Sequence, residues 1–287
     1  MLKAPKILFE GFDLLLDAPN SVQKMRELIL QLAVQGKLVP QDPHDEPASE
    51  LLKKIKAEKE KLIKKGKIKK QKPLPPISDN EIPYELPPGW EWARLGNLAE
   101  VNPRNYLTDE TGVSFVPMNL IQDGFANSHQ MQRRKWREVK SGFTHFKEND
   151  VGLAKITPCF QNRKSAVMRN LINGYGAGTT ELHIVRSYGR ALLSEFLLAL
   201  FKTARFIEEG TSTFTGTAGQ QRVKKSFIEN LVLGFPPFGE QKRIVEKVDQ
   251  LMKLCDELES KLTQSQKHSE LLLQAVLHET LTARSRD

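Results

Sequence analysis

The stretch PPFGEQKRIVEKVDQLMKLCDELESKL (236–262) separates two kinds of sequence and decides how the chain is read. Behind its two prolines, Ile244, Val248, Leu251, Cys255, Leu258 and Leu262 recur at alternating steps of four and three, which is a heptad seam. Ser265 and Ser269 interrupt the seam, and Leu272 and Val276 resume it. At about 1.5 Å per residue, a helix from Gln241 to Leu281 is roughly 60 Å long. One apolar seam on so long a helix calls for a partner helix, from this chain or from another copy. The pattern predicts a coiled-coil spacer helix over 239–287.

Ahead of the prolines the pattern is mixed. Val113–Met118, Val151–Ile156, Glu181–Arg186 and Leu231–Phe235 read as short strands between turn signals such as Asp123-Gly124 and Asn173-Gly174. Leu192–Ile207 reads as a helix with Leu193, Phe196, Leu197, Leu200, Phe201 and Ala204 on one face, stopped by Gly210. These elements predict one α+β domain over 89–238, opening at Gly89-Trp90-Glu91-Trp92. Six of the sixteen prolines fall within 71–88, which reads as a stiff linker. Residues 1–70 read as a helical segment. Ser21 caps one helix and Gly36 ends it, and a second, basic helix runs from Ala48 to about Lys65.

Composition excludes several classes. With 287 residues, 39% hydrophobic and 27% charged, the chain is neither disordered nor fibrous. Its two cysteines, Cys159 and Cys255, stand far apart, which predicts a reducing, cytoplasmic setting. No apolar run approaches the ~18 residues of a membrane span, and the first residues lack the layout of a signal or transit peptide.

The formal net charge of +8 is unevenly spread. Residues 53–72 hold 11 Lys against 2 Glu, and residues 90–235 are also net basic. The lysine run is either a solvated helix face or a polyanion attractor. The central clusters interleave cations with other chemistry. Arg133-Arg134-Lys135-Trp136-Arg137 sets four cations around an aromatic. Lys155, Arg163 and Lys164 flank Thr157-Pro158-Cys159. Gln220-Gln221-Arg222-Val223-Lys224-Lys225 sets two amides beside three cations. Lys and Arg neutralise phosphates, Arg reads guanine, and Gln pairs with adenine, so the clusters are candidate DNA contacts. Ordinary surface charge is the alternative for each cluster alone.

Catalytic patterns are missing from the sequence. There is no Walker A loop, GxGxxG, HExxH or GxSxG, and Asn102-Pro103-Arg104 is not the Asn-Pro-Pro-aromatic motif of an amino-methyltransferase. No metal site and no catalytic residue are predicted. A loose D…ExK trace, Asp123 with Glu138 and Lys140, leaves a Mg²⁺-dependent nuclease as one alternative. A coiled-coil scaffold is another.

Four stretches carry a family resemblance: ELILQLAVQGKLVPQDPHDEPASELL (27–52), LPPGWEWARLG (86–96), GYGAGTTELHIVR (174–186) and TAGQQRVKKSFIENLVLGFPPFGEQKRIVEKVDQL (217–251). With them the chain closely resembles the DNA-specificity (S) subunits of type I restriction–modification systems. The resemblance implies a target-recognition domain followed by a spacer helix, with no chemistry or cofactor of its own. It implies double-stranded DNA as ligand. The implied partners are a modification subunit carrying S-adenosylmethionine and adenine-N6 chemistry, and a restriction subunit that translocates and cuts, using ATP and Mg²⁺. Family members usually hold two recognition domains and two spacer helices, whereas this sequence shows one of each and looks like a half subunit, natural or truncated. Residues 27–38 echo residues 270–281 at five of twelve positions, which suits a homodimer closing through antiparallel spacer helices.

Overall fold

The computed structural model describes residues 20–189, 191–217 and 220–284, with side chains of the last helix described as far as Ala275. The side chain of Val276, the first nineteen residues and the last three therefore lie outside the described residues. The architecture is mixed α/β with a long C-terminal helix. Two compact bodies divide it: residues 29–247, and residues 20–28 with 248–284. No described helix is long and apolar enough to cross a membrane.

The helices are α1 (Ser21–Val34), α2 (Ala48–Lys64), α3 (Leu95–Leu98), α4 (Trp136–Val139), α5 (Ser194–Phe201), α6 (Ala204–Ser212), α7 (Lys225–Asn230) and α8 (Phe238–Arg284). The strands are β1 (Glu91–Arg94), β2 (Ala99–Val101), β3 (Gly112–Val116), β4 (Gln132–Lys135), β5 (Thr144–Lys147), β6 (Val151–Ala154), β7 (Ser165–Val167), β8 (Tyr175–Gly178), β9 (Leu182–Ser187) and β10 (Val232–Phe235). One four-stranded sheet, β2-β9-β6-β7, is wholly antiparallel. The other, β4-β3-β8-β5, is antiparallel except where β3 runs parallel to β8. Val116, Ile121, Phe146, Met168 and Ile184 form one core cluster. Val113, Trp136, Val139 and Ala177 form a second, edged by Leu107, Phe115, Phe143 and Tyr175.

The ends of the mixed region are fastened together. β1 pairs antiparallel with β10, Glu91 opposite Phe235 and Arg94 opposite Val232. Arg94 is 3% exposed and spends its guanidinium on the carbonyls of Pro75, Pro76 and Asn230 and on Glu81, at 2.7–2.9 Å. Arg94 thus ties the proline-rich stretch to the body, and Tyr84 adds a second tie by donating its hydroxyl to the Val34 carbonyl at 2.9 Å and packing on Trp92. Trp90 is buried and donates from Nε1 to Glu240 at 2.9 Å. Gly36 sits beneath it at φ +68, and a Cβ there would lie 2.5 Å from Pro87 and 2.8 Å from the Trp90 ring. Only glycine meets both demands.

The first turns of α8 are locked by the polar residues of GEQKR. Gln241 is fully buried, accepts from the Leu193 N–H at 2.8 Å and donates to the carbonyls of Ala191 and Pro236. Glu240 accepts from Gln41, and Arg243 pairs with Asp45 at 2.6 Å.

The heptad seam is used unevenly. Ile244 is fully buried in the larger body. In the smaller body Val248 and Cys255 are buried, as are Val22 and Met25 of α1, while Leu251, Leu258 and Leu262 are half-buried. There Arg26 of α1 donates to Asp256 and Glu259 of α8 at 2.6 and 2.8 Å. Leu272 is 67% exposed.

Two local expectations are corrected. The helix expected over 192–207 breaks at Lys202-Thr203 into α5 and α6, because Lys202 turns inward and the Thr203 hydroxyl caps α6 by accepting from the Phe206 N–H. Gly210 does not stop α6, which continues to Ser212. A side chain at residue 210 would strike the Phe160 ring, so this glycine serves close packing.

Candidate nucleic-acid interface

β4 is the outer strand of its sheet, and all four of its residues are exposed. A strand as polar as Gln-Arg-Arg-Lys forms because β3 supplies its backbone partners, Gly112 opposite Lys135 through Phe115 opposite Gln132. Charge on an edge strand also discourages pairing with another chain. Arg134 donates to Gln132 at 3.1 Å and lies 5.9 Å from the Phe115 ring centre. Lys135 and Arg137 both reach Glu110, each at 2.6 Å. These cations hold Glu110 below the ordinary carboxylate range, the Lys135 hydrogen bond most of all. The remaining arginine of the strand, Arg133, has no side-chain hydrogen bond or ion pair among the described residues. The aromatic in this cluster faces inward: Trp136 is 3% exposed and packs on His145 at 4.6 Å between ring centres.

The second and third clusters meet near the other sheet. Thr157 donates its N–H to the Gln221 carbonyl at 3.0 Å, and Ile156 and Thr215 each form an isolated bridge to Arg222. Gln220 is exposed and Gln221 half-buried. Arg222 grips Glu181 through Nε and Nη2 at 2.8 and 3.0 Å, and Lys225 pairs with Glu229 at 3.0 Å. Lys224 is exposed, while Lys155 and Lys164 are half-buried. Arg163 sits at φ 57, donates to the Lys202 carbonyl at 3.0 Å and lies 5.0 Å from the Phe125 ring centre. Lys202 beneath it is 2% exposed and donates to the carbonyls of Gly124 and Arg163. Burial, aided by the Arg163 charge, brings Lys202 down to about 7.

A buried polar chain ties the Arg222 segment to the sheet. His183 on β9 is 3% exposed and lies 3.0 Å through Nε2 from the Val223 carbonyl. Its Nδ1 is 3.1 Å from the Asn102 amide nitrogen, and Asn102 Oδ1 accepts from the Ile184 N–H. A donor at Nε2 and an acceptor at Nδ1 is the neutral imidazole. Burial pushes His183 down to about 4.

Sequence reading missed the acidic loop residues Asp109 and Glu110, which hold the cations. It also missed Asn105, Asp150 and Arg186, which anchor the same loop from below. Arg186 reaches Asp150 at 2.7 Å and Asn105 at 3.0 Å. The adjacent acidic pair Asp109-Glu110, so close in sequence to a basic run, is the only signal that was available. Two of the D…ExK residues are engaged separately. Lys140 pairs with Asp109, and Glu138 caps its own helix at the Lys135 N–H. Among the described residues no group of three His, Cys, Asp or Glu is placed to hold a metal ion.

Residues 87–265 match the family model described as the type I restriction modification DNA specificity domain. The chain is 53% identical over 253 residues to the type I restriction enzyme EcoAI specificity subunit of Escherichia coli. It is 52% identical over 253 residues to the EcoEI specificity subunit of the same organism. Each alignment covers 88% of this chain and 43% of the relative, so the chain spans less than half the length of these curated relatives. Among solved structures it is similar to the HsdS subunit from Thermoanaerobacter tengcongensis, with a TM-score of 0.54 and 25% identity over 70% of this chain and 51% of that one. A chain from a structural study of complex assembly and conformational transition in the type I R-M system shares the fold at a TM-score of 0.50 and 16% identity, covering 95% of this chain and 57% of that one.

Proposed function

The chain belongs to the type I restriction modification DNA specificity family, and from that premise we propose that it is a non-catalytic, DNA-reading subunit. It recognises one half of a bipartite target through the body carrying β4 and the Arg222 segment. One observation supports the placement of the DNA face: all four residues of the edge strand β4, Gln132–Lys135, are exposed beside Arg137. Cations on a rigid edge suit phosphates, which fix position, while amides and guanidiniums on base edges discriminate.

In this reading the chain holds no cofactor. S-adenosylmethionine belongs to a modification subunit, and ATP and Mg²⁺ belong to a restriction subunit, both docked on this chain. Two copies pair through their spacer helices. The exposed Leu254, Leu271, Leu272 and Leu273 of α8 support a helical partner.

The DNA face is tested by replacing Arg133 and Arg134 with Ala and measuring binding to several unrelated duplexes across a salt series. Affinity should fall for every duplex, and the salt slope should flatten by about one unit per lost contact. Wild-type binding at every salt concentration would place the DNA face elsewhere. Pairing of copies is tested by Leu251→Lys with Leu258→Lys, which should convert a sedimenting dimer to monomer. A wild-type monomer at high micromolar concentration would refute it.

A further inference from the structure

We infer that Tyr106 is a specificity-determining residue, its ring packing against base edges in the DNA groove; the inference rests on the DNA-reading function proposed above. Within the larger body, Tyr106 stands apart from every other large apolar side chain. It is 90% exposed, and the next most exposed such residue there is Ile82 at 39%. An aromatic ring held fully in water loses the apolar contact it is built for.

The loop beneath the ring is fixed. Asn105, its neighbour, is 7% exposed and makes three hydrogen bonds: its N–H donates to His145 Nδ1 at 3.2 Å, its Nδ2 donates to the Phe146 carbonyl at 2.8 Å, and its Oδ1 accepts from Arg186 at 3.0 Å. Arg186 is itself held by the buried Asp150. On the far side Leu107 packs on the cluster of Val113, Trp136, Val139 and Ala177. A residue displayed between two anchored neighbours loses little backbone freedom on binding, which is how a rigid aromatic contact is built.

The surroundings select the ligand. Arg104, two residues before Tyr106, is exposed and donates to the Phe143 carbonyl at 3.0 Å. Four residues after Tyr106, Glu110 of the same loop holds Lys135 and Arg137. The ring therefore rises from the loop that is strapped to the basic strand. Exposed Arg104 on this loop and exposed Arg133 on that strand supply cations for phosphate, so a duplex suits the site, with the cations on its backbone and the ring in its groove. Of the base edges in the major groove, the thymine methyl offers the ring an apolar surface. The position read by Tyr106 is thus an A·T pair.

The probe is a pool of duplexes with a randomised central segment, bound by the full chain, recovered and sequenced. The wild-type chain should enrich a motif. Tyr106→Ala should lose about ten-fold preference at one A·T position while keeping the remaining motif, the binding to the unselected pool and its salt slope. Tyr106→Phe should retain the preference, because the ring face is kept. An Ala variant that enriches the wild-type motif unchanged overturns the role of Tyr106 and leaves the DNA-reading function standing. A Phe variant as impaired as Ala overturns the assignment to the ring. A wild-type chain that enriches no motif overturns the DNA-reading function, and the role of Tyr106 with it.

Discussion

Lowering the pH from 7.5 to 5 should weaken the fold through His183, by an amount its surroundings allow to be worked out. The ring is 3% exposed and its two nitrogens face the Val223 carbonyl and the Asn102 amide nitrogen, so the fold accepts only the neutral form. Burial lowers its pKa from 6.5 to about 4. A base held neutral in this way stabilises the fold fully above the unfolded-state value of 6.5, and that contribution is lost as pH falls toward the folded value of about 4. At pH 7.5 almost nothing is lost. At pH 5 the unfolded chain binds the proton and the folded chain largely does not, which costs about 2 kcal/mol by linkage. Burial lowers His129 and His145 as well, so the wild type also loses their shares. His183→Gln isolates the one residue. Urea unfolding at both pH values should show the wild type losing about 2 kcal/mol more than the variant between pH 7.5 and 5. Equal losses in both proteins would mean that His183 is protonated without cost, and the Asn102–His183–Val223 chain would have been misread.

Removing the Arg94 guanidinium as Arg94→Met leaves three carbonyls without their donor, and should destabilise the fold by about 3–5 kcal/mol in urea titrations. The same substitution should raise Glu81, held at about 2 first by the Arg94 hydrogen bond, while the two Ser78 hydrogen bonds keep it below the ordinary carboxylate range, as NMR titration of its side chain would show. Replacing Glu110 with Gln frees Lys135 and Arg137 for phosphate, so binding to unrelated duplexes should tighten and grow steeper in salt, with little change in thermal stability.

The long helix was legible because a heptad seam needs no tertiary context, and α8 spans Phe238–Arg284 where the seam predicted it. The runs around β3, β6, β9 and β10 were legible as short apolar segments bounded by turns. The strands that escaped reading did so for physical reasons. β4 is polar throughout because it is an edge, so it lacks the alternation of a half-buried strand. β8, Tyr-Gly-Ala-Gly, reads as a loop by its glycines. In the sheet those glycines make room for the Phe146 ring and for the carbonyls of Ser114 and Val116. The basic clusters were visible as charge, but their partners were not. Glu181 lies 41 residues from Arg222, and Glu110 lies 25 from Lys135, so no local pattern joins them. The burial of Trp136 was not legible because exposure cannot be read from a residue's neighbours in sequence. Tyr106 was invisible for the same reason.

The β1–β10 pairing also sets how the larger body responds to tension. The chain enters at Glu91 and leaves at Phe235, and these two residues face each other at the outer end of the ladder. A pull on both flanks loads the ladder in the direction that parts its rungs one at a time, from Glu91–Phe235 inward to Arg94–Val232. Four rungs opened in series resist less than four loaded side by side, so the pairing alone is a weak seam. At the inner end the seam meets the Arg94 guanidinium, which bonds across to Asn230 and back to Pro75 and Pro76. Mechanically, the strands act as a zip, and its stop is the Arg94 guanidinium together with the Leu95 N–H, which donates to the Leu231 carbonyl at 2.9 Å, so strain passes to the two larger sheets after these bonds let go.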